Sequence, residues 1–146
     1  MKSDAEKTDI IIFGKYTKDL KDLWHALFIL KIPHSIVFLG GISKLRDFMN
    51  GRQREAILFL SVNDPKNVRY LELIAKFRYY KNLSIAVYDC AGALTNIEEV
   101  FAAGANIYIH KPLNPLNLIQ TIRQVMVTNT QFASGNFNRE TYFLSA

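Results

Sequence analysis

Five short runs of apolar, β-branched or aromatic residues recur along the chain, each followed by a longer stretch with helical spacing. The runs are Asp9–Phe13, Ser35–Leu39, Ala56–Leu60, Leu83–Tyr88 and Asn106–Ile109. A strand with one wet face alternates apolar and polar residues. A strand covered on both faces is apolar nearly throughout, and these runs are of that kind. The stretches between them carry apolar residues three and four apart: Leu20, Leu23, Trp24, Leu27 and Leu30, with Lys18, Lys21 and Asp22 on the other side. Ile42, Leu45, Phe48 and Met49 mark a shorter helix, and Leu71, Ile74 and Phe77 another. Leu94, Ile97, Phe101 and Gly104, then Leu118, Ile119, Ile122, Val125 and Met126, mark the last two. Strict βα alternation predicts a doubly wound α/β domain: a five-stranded parallel sheet, helices on both faces, right-handed crossovers.

The punctuation agrees. Thr95 with Glu98 three residues on is a capping box. Gly104 stands where a helix C-terminus wants positive φ. Asn114 before Pro115 is a cap followed by a proline at the first helical position, and Thr17 is a cap for the first helix. In such sheets sites form beyond the carboxyl ends of the strands. The residues to weigh are therefore those just after strands one, three, four and five.

Composition narrows the classes. At 146 residues the chain is one domain's worth, and a chain of this size builds its core without disulfide or metal staples. The single cysteine, Cys90, excludes an internal disulfide framework and a multi-cysteine zinc site. Lys plus Arg number 18 against 13 Asp plus Glu, a net charge of +5, too mild to imply nucleic-acid binding by itself. The opening residues, Met1 to Lys7, are followed by no secretory apolar run, and no stretch approaches a membrane span. The expectation is a cytoplasmic protein with no membrane partner. From Thr128 onward the sequence is small and polar, dotted with Phe132, Phe137, Tyr142, Phe143 and Leu144, and has no clear period. The expected organisation is a domain over 8–127 and a tail over 128–146.

The strand ends carry Gly14-Lys15-Tyr16, then Ser61-Val62-Asn63-Asp64-Pro65, then Asp89-Cys90-Ala91-Gly92, then His110-Lys111-Pro112. The stretch Phe101-Ala102-Ala103-Gly104-Ala105-Asn106-Ile107-Tyr108-Ile109-His110-Lys111-Pro112-Leu113 resembles the Ala-Gly-Ala-x-x-Tyr-x-x-Lys-Pro signature of response regulator receiver domains. Ser61-x-Asn63-x-Pro65 is similar to the family's Asp-x-Asn-x-Pro, with serine first. The resemblance spans Thr8 to Val127. It implies a flavodoxin-like (CheY-like) fold with strand order 2-1-3-4-5.

In that family the strand-three residue is the phosphoacceptor aspartate, and an acidic pair after strand one helps hold Mg²⁺. A Thr or Ser after strand four and a lysine after strand five contact the phosphoryl group. An aromatic three residues before the lysine changes rotamer on activation. Here the acceptor position is Ser61 and the acidic pair is Gly14 and Lys15; the Thr/Ser position is Asp89, beside Cys90. Lys111, Pro112, Asn63 and the aromatic, Tyr108, are retained. A carboxylate attacks a phosphoryl donor directly, whereas a serine hydroxyl needs a base. Mg²⁺ wants hard oxygen ligands, one or two of them carboxylates. Gly14 supplies none, and Lys15 would set a cation near the ion; like charges at ~4 Å repel by roughly 1–4 kcal/mol. The resemblance thus implies a degenerate pocket of Gly14, Lys15, Ser61, Asn63, Asp89 and Lys111, with no metal, no cofactor and no catalytic residue. An Asp89–Lys111 ion pair in place of the phosphoryl–lysine contact is one expectation.

The remaining candidates have plainer readings. Asp64 before Pro65 is a turn or cap residue. The carboxylate of Asp89 argues against a reactive Cys90 thiolate. His25, His34 and His110 have no metal-ligand spacing. No phosphate-cradling glycine motif is present, which disfavours a nucleotide cofactor. Lys44, Arg46, Arg52 and Arg54, and Lys66, Arg69, Lys76, Arg78 and Lys81 with Tyr79 and Tyr80, form two basic clusters. Asp47, Glu55 and Glu72 are interspersed, as on solvated helix faces rather than a nucleic-acid surface. The expected function is non-enzymatic. It is that of an atypical receiver in two-component (phosphorelay) signalling that binds a protein partner without phosphorylation. The helix-four/strand-five/helix-five face, with Tyr108, Val100 and Pro112, is its expected interaction surface, and a homodimer is one form that contact would take. Phosphorylation at Ser61 or another residue, nucleic-acid binding, and a small-molecule site at the switch point are the alternatives.

Overall fold

A computed structural model describes residues 9–14, 18–30, 36–50, 55–62, 69–80, 82–89, 97–110, 115–132 and 143–145. The elements alternate as the sequence predicts: β1 (Asp9–Phe13), α1 (Lys18–Ile29), β2 (Ile36–Leu39), α2 (Ile42–Met49), β3 (Ala56–Val62), α3 (Arg69–Phe77), β4 (Leu83–Asp89), α4 (Ile97–Ala103), β5 (Ile107–His110) and α5 (Pro115–Phe132). Every strand pairing is parallel, and the order β2-β1-β3-β4-β5 is that of a CheY-like, flavodoxin-like sheet.

Strand alternation divides the core into two layers. Ile10, Ile12, Ile57, Phe59, Ala86, Tyr88, Ile107 and Ile109 face α1 and α5, where Leu20, Leu23, Leu27, Leu118, Ile122 and Val125 close over them. Ile11, Leu58, Leu60, Val62, Ile85, Val87 and Tyr108 face α2, α3 and α4, against Leu45, Tyr70, Ile74, Phe77 and Val100. Apolar residues on both faces of one strand are what a doubly covered sheet demands.

Residues 128–146, expected as a tail, contain regular structure. α5 continues through Thr128 to Phe132, and Phe143–Ser145 forms a sixth strand, β6, parallel to β5. The last turns of α5 are polar and show no stripe. A three-residue strand is too short for alternation to register. The caps expected at Thr17, Thr95 and Asn114 lie outside the described residues, while Pro115 does open α5.

Gly104 behaves as its position predicts. Its φ is +122°, and it closes α4 with paired bonds: its own N–H to the Phe101 carbonyl, and the Ala105 N–H to the Val100 carbonyl. A Cβ at Gly104 would lie 2.7 Å from Cβ of Arg78, whose guanidinium donates to the carbonyls of Ala102 and Ala103. Directly after this turn, Asn106 locks onto β4. Its N–H donates to the Ile85 carbonyl at 2.8 Å, and its side-chain oxygen accepts from the Ile85 N–H at 2.7 Å. The turn therefore fixes the β4–β5 register that sets Tyr108 beside Val87 and His110 beside Asp89.

Candidate functional site

The carboxyl ends of β1, β3, β4 and β5 bring together part of the residue set singled out from the sequence. Gly14 follows β1 with φ +146°, a conformation that favours glycine. Ser61 is the sixth residue of β3 and shares the α1/α5 side with Phe59. The two are in contact range: a Cβ on Gly14 would stand 3.1 Å from Cβ of Ser61 and 3.6 Å from Leu20 Cδ1. Both remain partly exposed. The Gly14 position is thus closed to a side chain twice over, by its φ and by its neighbour.

Asp89 is built differently. It ends β4, alternates with Val87 onto the α2–α4 side, and is fully buried. The hydroxyl of Tyr108, also fully buried, donates to its Oδ2 at 2.6 Å. That length is typical of a hydroxyl bound to an ionised carboxylate. Bonding of this kind makes a buried carboxylate tolerable, since an unpaired one is costly. Tyr70, in the first turn of α3, packs into the same layer. Its hydroxyl is buried with no hydrogen-bond partner among the described residues. Burial pushes its pKa above the usual tyrosine value, and the carboxylates of Glu99 and Asp89 add to the rise.

The expected pocket is therefore resolved into two groups: Gly14 with Ser61 on one side of the sheet, Asp89 with Tyr108 on the other. Lys15, Asn63, Lys111 and Pro112 lie outside the described residues, as do Cys90 and Asp64. Tyr108 is one partner of Asp89, and the expected Asp89–Lys111 pair lies outside the described residues because Lys111 does. Tyr108 and Val100, expected on an interaction face, are each 0% exposed and pack in the layer between the sheet and α2, α3 and α4. The outer edge of β5 is likewise paired, to β6.

Mg²⁺ comes with the receiver resemblance, so the donors must be tested against it. The ion takes six oxygens in a near-ideal octahedron, one or two of them carboxylates. Among the described residues no group of three His, Cys, Asp or Glu side chains gathers. Gly14 brings no side-chain oxygen, and Asp89 is buried against Tyr108. The described residues do not fit the ion.

Two features escape the sequence reading. Tyr70 is one; the only signal is a tyrosine at a buried helix position where a leucine would serve. The other is an apolar corner between α1 and α5. There Ile29, Leu30, Ile119, Arg123, Met126 and Val127 line a groove of about 320 Å³. Phe28, 69% exposed, stacks on Trp24 nearby. The signal was present in α1, where Phe28 and Ile29 are apolar but lie off the stripe that faces the core.

Comparison with known proteins supports the fold. No protein-family model matches the chain, and no curated protein matches it. A solved structure of a response regulator in red light signalling of R. palustris superposes with a TM-score of 0.63. It shares 17% identity with this chain, and the match covers 82% of this chain and 92% of that one. Among the described residues no helix is long and apolar enough to cross a membrane.

Proposed function

We propose that the chain is a degenerate receiver module of two-component (phosphorelay) signalling that acts by binding a protein partner and not by accepting a phosphoryl group. One observation carries this reading: the carboxylate at the end of β4 is buried and bonded to the Tyr108 hydroxyl at 2.6 Å. In a working receiver the aromatic and the strand-four residue respond to a phosphoryl group. Here the two are joined to each other, and both are fully buried, which ties the aromatic to the inside of the fold. The acceptor position supports the same reading. Ser61 is a hydroxyl beside a glycine, not a carboxylate beside an acidic pair, and the attack on a phosphoryl donor would need a base.

The module is non-enzymatic and cytoplasmic in this reading, and its output resides in the partner. Docking uses the exposed surface of α4 and α5, since Tyr108 and Val100 do not reach it.

Intact mass after incubation with acetyl phosphate and Mg²⁺ tests the proposal, with Ser61→Ala run beside the natural chain. The expected result is no added phosphate on either. Phosphate on the natural chain that disappears in Ser61→Ala makes Ser61 an acceptor and overturns the reading.

A further inference from the structure

We propose that the outer edge of β5 is a strand-docking site for a partner's extended, uncharged segment, and that the chain's own Phe143–Ser145 occupies it as a built-in competitor. A sheet edge presents unpaired N–H and C=O groups that will accept another strand. At β5 that place is filled in parallel register, Tyr108 opposite Phe143, Ile109 opposite Leu144 and His110 opposite Ser145. The occupant shows what the edge accepts. Phe143, Leu144 and Ser145 are an aromatic, an aliphatic and a small polar residue, none of them charged.

Two further observations argue that the occupant is replaceable. β6 is only three residues long, so it contributes few ladder bonds. It is joined to α5 by ten residues, 133–142, where connections between a helix and the next strand in such folds usually take about 2–6. A connection that long does not force the strand into place. It supplies the strand at an effective concentration on the order of millimolar, against which a separate peptide competes by mass action. Among the described residues the opposite edge carries no added strand. β2 ends the sheet there, with Phe38 42% exposed.

The proposal stands on the sheet edge alone and does not depend on the chemistry at Ser61, so phosphate uptake would leave it intact. The probe is a fluorescein-labelled peptide of residues 139–146, read by fluorescence polarisation against full-length protein. In the natural chain the resident strand competes, and binding is weak. Leu144→Pro removes one backbone N–H from β6 and frees the edge, so this variant binds the peptide at least about tenfold more tightly. A peptide carrying the same Leu144→Pro change does not bind either protein. If the proline chain does not fold by circular dichroism, full-length Leu144→Gly replaces it, with the same order and a smaller gain. Equal affinity of the natural and variant chains overturns the proposal, and so does equal binding of the proline peptide.

Discussion

Between β1 and β3 the carboxyl end of the sheet carries Gly14 against Ser61, small, uncharged and partly exposed. Between β4 and β5 it carries Asp89 bonded to Tyr108, both closed to solvent. The first pair has room for little chemistry: the backbone of Gly14 refuses a side chain, and Ser61 fills the space one would need. The second pair is chemically rich but enclosed, because the Tyr108 hydroxyl donates to the Asp89 carboxylate and both are shut away from solvent. The difference teaches that two halves of one strand-end region can be built from opposite materials. Among the described residues, one half carries no charged group. The other has a charged group but has turned it into structure.

The sharpest way to break the comparison is to treat the halves alike. Truncating a fully buried aromatic costs about 3–5 kcal/mol, so Tyr108→Ala should lower unfolding free energy by that amount. Ser61→Ala, at a partly exposed position, should stay within about 0.5 kcal/mol. Chemical denaturation of both variants measures the contrast. A Ser61→Ala loss rivalling that of Tyr108→Ala would mean that the β1–β3 half is structural too.

Next in size is the bond itself. Tyr108→Phe keeps the ring and removes the donor to Asp89, and hydrogen bonds to charged groups are worth about 1.5–3 kcal/mol. Paired with Asp89→Asn in a double-mutant cycle, the two changes should be non-additive by about 0.5–3 kcal/mol. Additive losses would show that Asp89 and Tyr108 act independently. A smaller effect belongs to the other half. Gly14→Ala places a Cβ at φ +146° and 3.1 Å from Ser61, at a cost of about 1–2 kcal/mol. Adding Ser61→Gly should recover the part due to crowding and leave the part due to φ, as melting of the single and double variants will show.

The sheet order was readable because each strand is apolar on both faces and each helix carries a stripe, a pattern with few other solutions. Gly104 was readable for the same kind of reason: a helix end needs positive φ, and one glycine stands there. The Asp89–Tyr108 bond was not readable. The two lie nineteen residues apart in sequence, and only the register fixed by Asn106 brings the hydroxyl to the carboxylate. The burial of Tyr108 and Val100 was not readable either, since a surface inferred from resemblance carries no information about which way a side chain points. β6 escaped notice because three residues cannot display a period, and the ten-residue connection before it gives no hint of where it returns.

The smallest expected effect lies at the border of the buried pair. Tyr70 is held in the same layer as Asp89, and its hydroxyl has no hydrogen-bond partner among the described residues. Removing a buried hydroxyl that makes no bond costs little and can stabilise, so Tyr70→Phe should change unfolding free energy by no more than about 1 kcal/mol, toward greater stability. The pH dependence carries the sharper signature. Burial, then Glu99 and Asp89, raise the pKa of Tyr70 above 10.0 in the folded chain. The folded form then keeps its proton at a pH where the unfolded form has lost it. The stability tied to Tyr70 is therefore complete below pH 10.0 and is lost as pH climbs from there through the raised value. Tyr70→Phe should flatten that alkaline decline while leaving the neutral range nearly unchanged. An alkaline limb identical in the natural chain and the variant would mean that the Tyr70 hydroxyl is solvated or bonded in solution, and that the closed half of the site ends at Asp89 and Tyr108.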